Sequence, residues 1–225
     1  MSDLGKHFDD EAEGFDNAIN KNIPRYDEMI EVLVNAIPND KKDLRVLDLG
    51  CGTGNITLKL LERFPKARVT CLDLSKNMLE LAKKKLSDYD SIEYVLGDFT
   101  IIDIIDNYDA VISSLALHHI ASDEAKLEMY RHIYDALNDG GVFYNADVTL
   151  ASTEYHEKMN QSIFDEFMEN NGYSPEEIEN HRLKRKANDL PITLTKHLRF
   201  LEEVGFKNVD VIWKYYATAV YGAIK

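Results

Sequence analysis

From Val46 to Gly54 the chain reads Val-Leu-Asp-Leu-Gly-Cys-Gly-Thr-Gly, a short apolar run ending in three alternate glycines. Glycines at that spacing let the backbone turn tightly and approach a ligand with no Cβ in the way. Free N–H groups at the start of a following helix can then hold a carboxylate. About twenty residues on, Leu72-Asp73-Leu74 ends a second apolar run, where an acid is placed to accept from both hydroxyls of a ribose. Gly97-Asp98-Phe99 ends a third, where a carboxylate can accept from an exocyclic amine of adenine with Phe99 beside the ring. Three strand ends in a row thus predict one crevice for an amino acid, a sugar and a base. The order Gly-x-Gly-x-Gly departs from the Gly-x-Gly-x-x-Gly of dinucleotide sites, and no Gly-Lys-Ser/Thr follows as a P-loop requires. The alternative reading of the loop is a tight turn with no ligand.

A second stretch with chemical potential is Ser113-Ser114-Leu115-Ala116-Leu117-His118-His119-Ile120. An imidazole titrates near neutral pH, so His118 and His119 are candidate general bases. The alternative is that one of them caps the next helix and the other packs on the sheet. Tyr144, Asn145 and Asp147 are further pocket candidates, whereas Tyr215 and Tyr216 read as core residues of an edge strand. His7, His118, His119, His132, His156, His181 and His197 are scattered without Cys or carboxylate at ligand spacing, so no metal site is expected. Cys51 lies in the glycine turn without a partner base that would make it a nucleophile.

Positioning these groups requires a regular scaffold, and the chain supplies one. Residues 8–20 and 26–37 read as amphipathic helices broken at Pro24, with Pro38-Asn39-Asp40 stopping the second. Apolar, β-prone runs at 45–49, 67–72, 92–96, 108–114 and 142–146 then alternate with helices at about 55–63, 75–86 and 122–137. Asn138-Asp139-Gly140-Gly141 is expected to end the last of these helices. Such alternation predicts a parallel sheet covered on both faces. Residues 150–190 break the rhythm as a charged helical insertion with a turn at Gly172-Tyr173-Ser174-Pro175. A helix at about 194–204, stopped by Gly205, leads to β-rich runs at 209–216 and 217–224, expected to pair antiparallel. The expected organisation is one domain over 1–225: an N-terminal helical cap (1–40), a ligand-binding core (44–148), a helical insertion (150–190), and the last helix and strand pair (193–225).

At 225 residues and 44% hydrophobic the chain can bury one core. Only two cysteines are present, Cys51 and Cys71, which gives no disulfide framework and fits a reducing compartment. No apolar stretch approaches a membrane span and the first residues lack a signal-peptide core, so a cytoplasmic location is expected. The formal net charge of −14 disfavours direct binding to nucleic acid. The short basic run at Arg182, Lys184, Arg185 and Lys186 reads either as a solvated helix face or as a local patch. A small molecule is the expected partner.

The glycine loop taken with Asp73 and Asp98 resembles the class I S-adenosylmethionine-dependent methyltransferases. That resemblance covers roughly residues 44–148 and the terminal strand pair. It implies an α/β, Rossmann-like sheet of seven strands, mostly parallel with an antiparallel last strand, and helices on both faces. It implies S-adenosyl-L-methionine as cofactor, released as S-adenosyl-L-homocysteine, with contacts at Asp48, Gly50, Cys51, Gly52, Thr53, Gly54, Asp73, Leu74, Met78, Asp98 and Phe99. Methyl transfer from a sulfonium is an in-line displacement, so such an enzyme works chiefly by holding two reactants at near-attack distance, with a base only for an acceptor that must lose a proton.

The flanks carry a second resemblance. Phe8-Asp9, Ile23-Pro24-Arg25-Tyr26, Phe164-Asp165, Asn171-Gly172-Tyr173-Ser174, Glu177-Ile178, Arg182, Thr195, His197 and Gly205-Phe206 are similar in order and spacing to the carboxy-S-adenosylmethionine synthases, which modify the cofactor itself for tRNA wobble-uridine chemistry. This resemblance implies that Tyr26 and Ser114 reach the cofactor. It also implies that Arg182 binds an extra carboxylate across a homodimer interface, for which a planar guanidinium is suited. Arg182 reads equally as a surface ion-pair residue. Two departures stand out: the ordinary methyltransferase form Gly52-Thr53-Gly54, and the pair His118-His119. Three functions therefore stay open: a small-molecule methyltransferase, a cofactor-carboxylating enzyme, and a non-catalytic cofactor-binding module.

Overall fold

The computed structural model describes residues 3–39, 43–102, 104 and 107–225. Among them, five parallel strands form the heart of a seven-stranded sheet: β1 (Arg45–Leu49), β2 (Arg68–Asp73), β3 (Ile92–Leu96), β4 (Tyr108–Ser114) and β5 (Leu137–Val148). An antiparallel pair, β6 (Lys207–Tyr215) and β7 (Thr218–Ile224), completes it, with β7 against β5. The order across the sheet is β3-β2-β1-β4-β5-β7-β6. The chain first runs outward from β1 and then jumps back to β4, so the carboxyl ends of β1 and β4 part and leave a crevice between them.

Helices cover both faces because the central strands are apolar on both sides; in β1, Val46, Leu47 and Leu49 are all buried. One face carries α3 (Tyr26–Ala36), α4 (Asn55–Arg63) and α5 (Lys76–Lys85), packed through Met29, Leu33, Leu60 and Ala82. The other carries α6 (Asp123–Ala136) and α9 (Leu194–Val204), packed through Tyr130, Ile133 and Leu201 on Phe143 and Tyr221. A fully buried Leu or Met of this kind contributes roughly 1.5–3 kcal/mol. Two further helices, α7 (Glu154–Asn170) and α8 (Pro175–Asn188), fill the insertion, and Ser174 with Glu177 forms a complete capping box at the start of α8. No helix among the described residues is long and apolar enough to cross a membrane.

Two boundaries differ from the sequence expectation, and a third lies outside the described residues. The first predicted helix is two, α1 (Asp3–Glu11) and α2 (Phe15–Asn22), joined by a one-turn 3₁₀ segment at Ala12–Gly14, where glycine is a poor helix former. Asp40, within the predicted stop of the next helix, lies outside the described residues. Finally, Asn138-Asp139-Gly140-Gly141 does not trail a helix. It is the irregular opening of β5, paired already at Leu137↔Tyr108, with the register shifting between Tyr108 and Ala110. The last hairpin turns at Tyr216-Ala217 without glycine, and Tyr216 takes φ 49° to do so.

Candidate functional site

The turn after β1 is shaped by its glycines. Gly50 has φ 69°, and a Cβ there would stand 2.4 Å from the Ala116 Cβ, so only glycine lets the turn lie under the end of β4. The Gly52 N–H donates to Asp73 Oδ2 at 2.8 Å, and the Ser75 N–H donates to Asp73 Oδ1 at 2.8 Å. Asp73 thus ties the first turn to the second. Its carboxyl sits above its ordinary value because burial outweighs the N–H groups of Ser75 and Gly52. A Cβ on Gly52 would meet nothing within 4 Å, so the loop has free space over it.

The N-terminal helices close over this turn. Asp9 on α1 accepts from Ser75 Oγ at 2.6 Å and from the Asn77 N–H at 3.0 Å, adding a second acceptor to the start of α5. Asp16 on α2 accepts from Thr53 Oγ1 at 2.6 Å and from Lys85 Nζ at 2.7 Å. Tyr26 at the head of α3 is buried, which pushes its phenol up to about 12.

The opposite wall comes from the turn after β4. Leu115 takes the left-handed φ of 52°, a costly conformation for a branched side chain, and this sends the chain into a 3₁₀ turn at Leu117–His119. Lys126, buried on α6, donates to the Leu117 and Ile120 carbonyls and fastens that turn; burial lowers its ammonium to about 8. His118 Nδ1 lies 2.6 Å from Asp147 Oδ1, and the His118 N–H donates to Asp147 Oδ2 at 3.1 Å. Burial alone would raise the Asp147 carboxyl, but the charge and hydrogen bond of His118, with His197, bring it below its ordinary value. Asp147 is therefore the acceptor and His118 Nδ1 the donor, which leaves His118 Nε2 toward the cavity. Beside it stands His119, whose ring centroid is 3.9 Å away and which burial and His118 lower to about 4.

Between the two walls lies a cavity of about 650 Å³ that runs without interruption from Gly50–Thr53 and Asp73 to His118 and His119, roofed by α1, α2 and α8. That volume is in the range of small-molecule sites. Residues 46–141 match the family described as "Methyltransferase domain". The chain is similar to that family over this stretch, a little under half of its length. S-adenosyl-L-methionine is the cofactor of that domain. The carboxy-S-adenosyl-L-methionine synthase of Nautilia profundicola is 24% identical over 221 residues, which covers 97% of this chain and 94% of that one. The malonyl-[acyl-carrier protein] O-methyltransferase 1 of Ilyobacter polytropus is 31% identical over 105 residues, covering 47% of this chain and 38% of that one. In the crystal structure of an O-methyltransferase family 2 protein from Planctomyces limnophilus, complexed with apigenin, the match covers all of this chain and 62% of that one, at a TM-score of 0.69 and 17% identity.

Most residues expected to touch the cofactor line this one cavity: Tyr26, Gly50, Cys51, Gly52, Thr53, Asp73, Leu74, Met78, Phe99 and Ser114. The Ser114 hydroxyl is buried there with no partner. The Cys51 thiol is pushed up by its hydrogen bond with Cys71 and by burial, which keeps it from acting as a nucleophile. Four expectations need correction. Asp48 lies beneath the loop rather than on the cavity wall: one oxygen accepts from Thr57 Oγ1 at 2.6 Å and the other is buried without a partner. Gly54 instead packs α5, since a Cβ there would stand 2.9 Å from Leu86 Cδ1. The Asp98 carboxylate turns back on its own loop, accepting from the Thr100 N–H at 2.9 Å and from Thr100 Oγ1 at 2.6 Å, and does not line the cavity. Arg182 faces outward from α8, paired with Asp165 and with Glu179 at 2.9 Å. One turn on, Lys184 and Arg185 line the cavity instead.

Three further groups meet at the histidine end of the cavity. His118, His119 and Asp189 place three ligand atoms within 4.8 Å of one another. Asp189, like Asn188 beside it, was invisible to spacing because it arrives from a helix end about seventy residues downstream. Of the other pocket candidates, Asn145 and Asp147 lie fully buried behind His118, and Tyr144 packs on the opposite face of the sheet.

Proposed function

We propose that the chain transfers the methyl group of S-adenosyl-L-methionine to a small acceptor whose nucleophile is activated at the His118–His119 end of the cavity. The observation that carries this reading is the continuity of the cavity from the glycine loop to the histidine pair. When bound, the cofactor supplies an activated methyl group on a sulfonium. The backbone of Gly50–Thr53 and the N-terminus of α4 receive its carboxylate. Asp73 accepts from the ribose hydroxyls, and Phe99, 5% exposed, packs beside the base. The helices α1 and α2 exclude water, so that the two reactants meet in a fixed geometry; orientation of this kind supplies up to about 7–11 kcal/mol of a barrier. His118, held by Asp147, stands where the acceptor loses its proton. The expectations of one domain and of a small-molecule partner belong to this reading.

The test is turnover: purified chain incubated with labelled cofactor and fractionated small-molecule pools should release S-adenosyl-L-homocysteine, and His118→Asn should abolish release while still binding the cofactor. Binding with no turnover in any pool would favour a non-catalytic module.

A second reading, a cofactor-carboxylating enzyme, is favoured by the synthase from Nautilia profundicola matching 97% of the chain. In that reading Arg182, exposed on α8, would reach the site of a second copy. The mass of the ligand that co-purifies decides: unmodified cofactor alone counts against it, and light scattering tests the dimer.

A further inference from the structure

We propose that His118, His119 and Asp189 bind a divalent ion of the zinc type at the acceptor end of the cavity. The ligand chemistry fits: two imidazole nitrogens and one carboxylate oxygen suit a first-row divalent ion and leave positions open for a substrate oxygen.

The spacing fits as well. Asp189 Oδ1 lies 3.7 Å from His118 Nε2 and 3.6 Å from His119 Nδ1. Both contacts are too long for hydrogen bonds. Ligands held about 2.1 Å from a tetrahedral ion stand about 3.4 Å apart. A plain ion pair would bring the carboxylate onto one ring; here the oxygen is shared almost evenly between two.

The surroundings orient two of the ligands. Asp147 occupies His118 Nδ1 at 2.6 Å, which fixes Nε2 as the free nitrogen, an arrangement that recurs behind metal-bound histidines. The Arg185 Nε lies 3.5 Å from Asp189 Oδ2 and leaves Oδ1 toward the histidines. The backbone is fastened too: the Leu190 N–H donates to the His118 carbonyl at 2.9 Å, binding the residue after Asp189 to the histidine turn. His119 Nδ1 lies 3.2 Å from the Asn188 carbonyl, which can only accept, so an ion at that nitrogen replaces the proton of this hydrogen bond.

The site stands on its own geometry; its use in catalysis rests on the methyl-transfer reading. With His118 Nε2 as its ligand, an ion there would replace His118 in the proton step by acidifying an acceptor hydroxyl that it contacts. On transfer the oxygen–methyl bond forms, the sulfur–methyl bond breaks, the sulfonium becomes the neutral thioether, and the hydroxyl proton passes to water.

The experiment is calorimetric titration of the chelator-stripped full chain with Zn²⁺, repeated with Co²⁺ to record its visible absorption. The expected result is one ion per chain, with affinity at least ~10-fold weaker in Asp189→Ala and His119→Ala and unchanged in His132→Ala, an exposed histidine on α6. Asp189→Asn, close in shape, guards against loss of fold. Absence of saturable binding, or binding that persists undiminished in Asp189→Ala and Asp189→Asn, overturns the site. Failures remain separable. Turnover that survives chelation, with no ion bound, removes the metal and leaves proton removal to His118 and Asp147. An ion bound at these residues with no S-adenosyl-L-homocysteine from any pool keeps the site and removes the methyl-transfer reading.

Discussion

Asp147 reaches His118 from inside the sheet: its Oδ1 lies 2.6 Å from His118 Nδ1, and the carboxylate itself is wholly buried. The carboxylate is anchored from behind by Asn145 Nδ2 at 3.3 Å, which in turn donates to the Tyr221 hydroxyl at 2.8 Å. Tyr130 and His197 extend the network, with Tyr130 Oη 2.6 Å from His197 Nδ1. The sheet therefore fixes both the tautomer and the aim of His118 before any ligand arrives. Asp147→Asn keeps the shape and removes the charge, so it should lower S-adenosyl-L-homocysteine release by ~10²–10⁴-fold, as in other carboxylate–histidine pairs. Calorimetry should find cofactor affinity unchanged. Equal loss of affinity and turnover would instead mean that the substitution collapsed the site.

Asp73 joins two turns, so its replacement has two effects that can be separated. Asp73→Asn keeps a carbonyl oxygen for one of the two N–H donors, whereas Asp73→Ala removes both acceptors. A hydrogen bond to a charged group contributes about 1.5–3 kcal/mol, so Asp73→Asn should weaken cofactor binding by roughly 10-fold or more. Asp73→Ala should weaken it further and lower the melting temperature. Unchanged affinity in both variants would falsify the assignment of the ribose to Asp73.

The contrast between Asp73 and Asp98 shows how far sequence carries. Both acids end a strand after an apolar run, and both were expected on the cavity wall. For Asp73 the pattern and the geometry agree because the adjacent strand register, Leu49↔Leu72, places its side chain beside the glycine turn. Asp98 follows a strand whose successor segment folds back, and the nearest donors, both on Thr100, take its carboxylate. Alternation and turn signals made the parallel sheet and its glycine turn readable, since they are local. The acceptor wall was not readable, because Asp189 meets His118 and His119 only after α7 and α8 have wrapped around. Nor does any sequence signal announce the left-handed Leu115 that swings the histidines inward.

Asp48 predicts a pH dependence of stability. Burial pushes its carboxyl up to about 7, against the Thr57 hydrogen bond and helped by Asp73. The unfolded chain has an ordinary aspartate at about 3.9, so between those values the native state holds the proton more tightly. Stability contributed by the protonated form is full below about pH 4 and is lost as pH rises through about 7; three units of difference correspond to a cost on the order of 4 kcal/mol. Asp48→Asn has no such titration. Relative to the native chain it should gain stability on going from pH 5 to pH 8, measured by denaturant unfolding at each pH without cofactor. Parallel stability curves for the two proteins would contradict the buried, proton-holding carboxyl.

Asp16 tests the roof. It is half exposed, so its pair with Lys85 adds little to global stability, ~1 kcal/mol or less. Its position matters more, because it is the link between α2 and Thr53. Asp16→Ala should leave the melting temperature nearly unchanged while speeding amide exchange across residues 15–22. Exchange there as slow as in the native chain would show that apolar packing of Ile19 alone holds the roof.

Arg182 separates the two functional readings. Its guanidinium is held by Asp165 and Glu179, while Lys184 and Arg185 line the cavity. If the chain is a methyltransferase complete within one copy, Arg182→Ala removes only a surface pair, typically worth 0–1 kcal/mol. Cofactor affinity and S-adenosyl-L-homocysteine release should then match the native chain. If Arg182 instead reads a carboxylate in a second copy, the same variant must lose affinity for a carboxylated cofactor while keeping that for the unmodified one. Titrating native and variant chains with both ligands distinguishes these outcomes, and a selective loss for the carboxylated form would transfer the proposal from methyl transfer to cofactor modification.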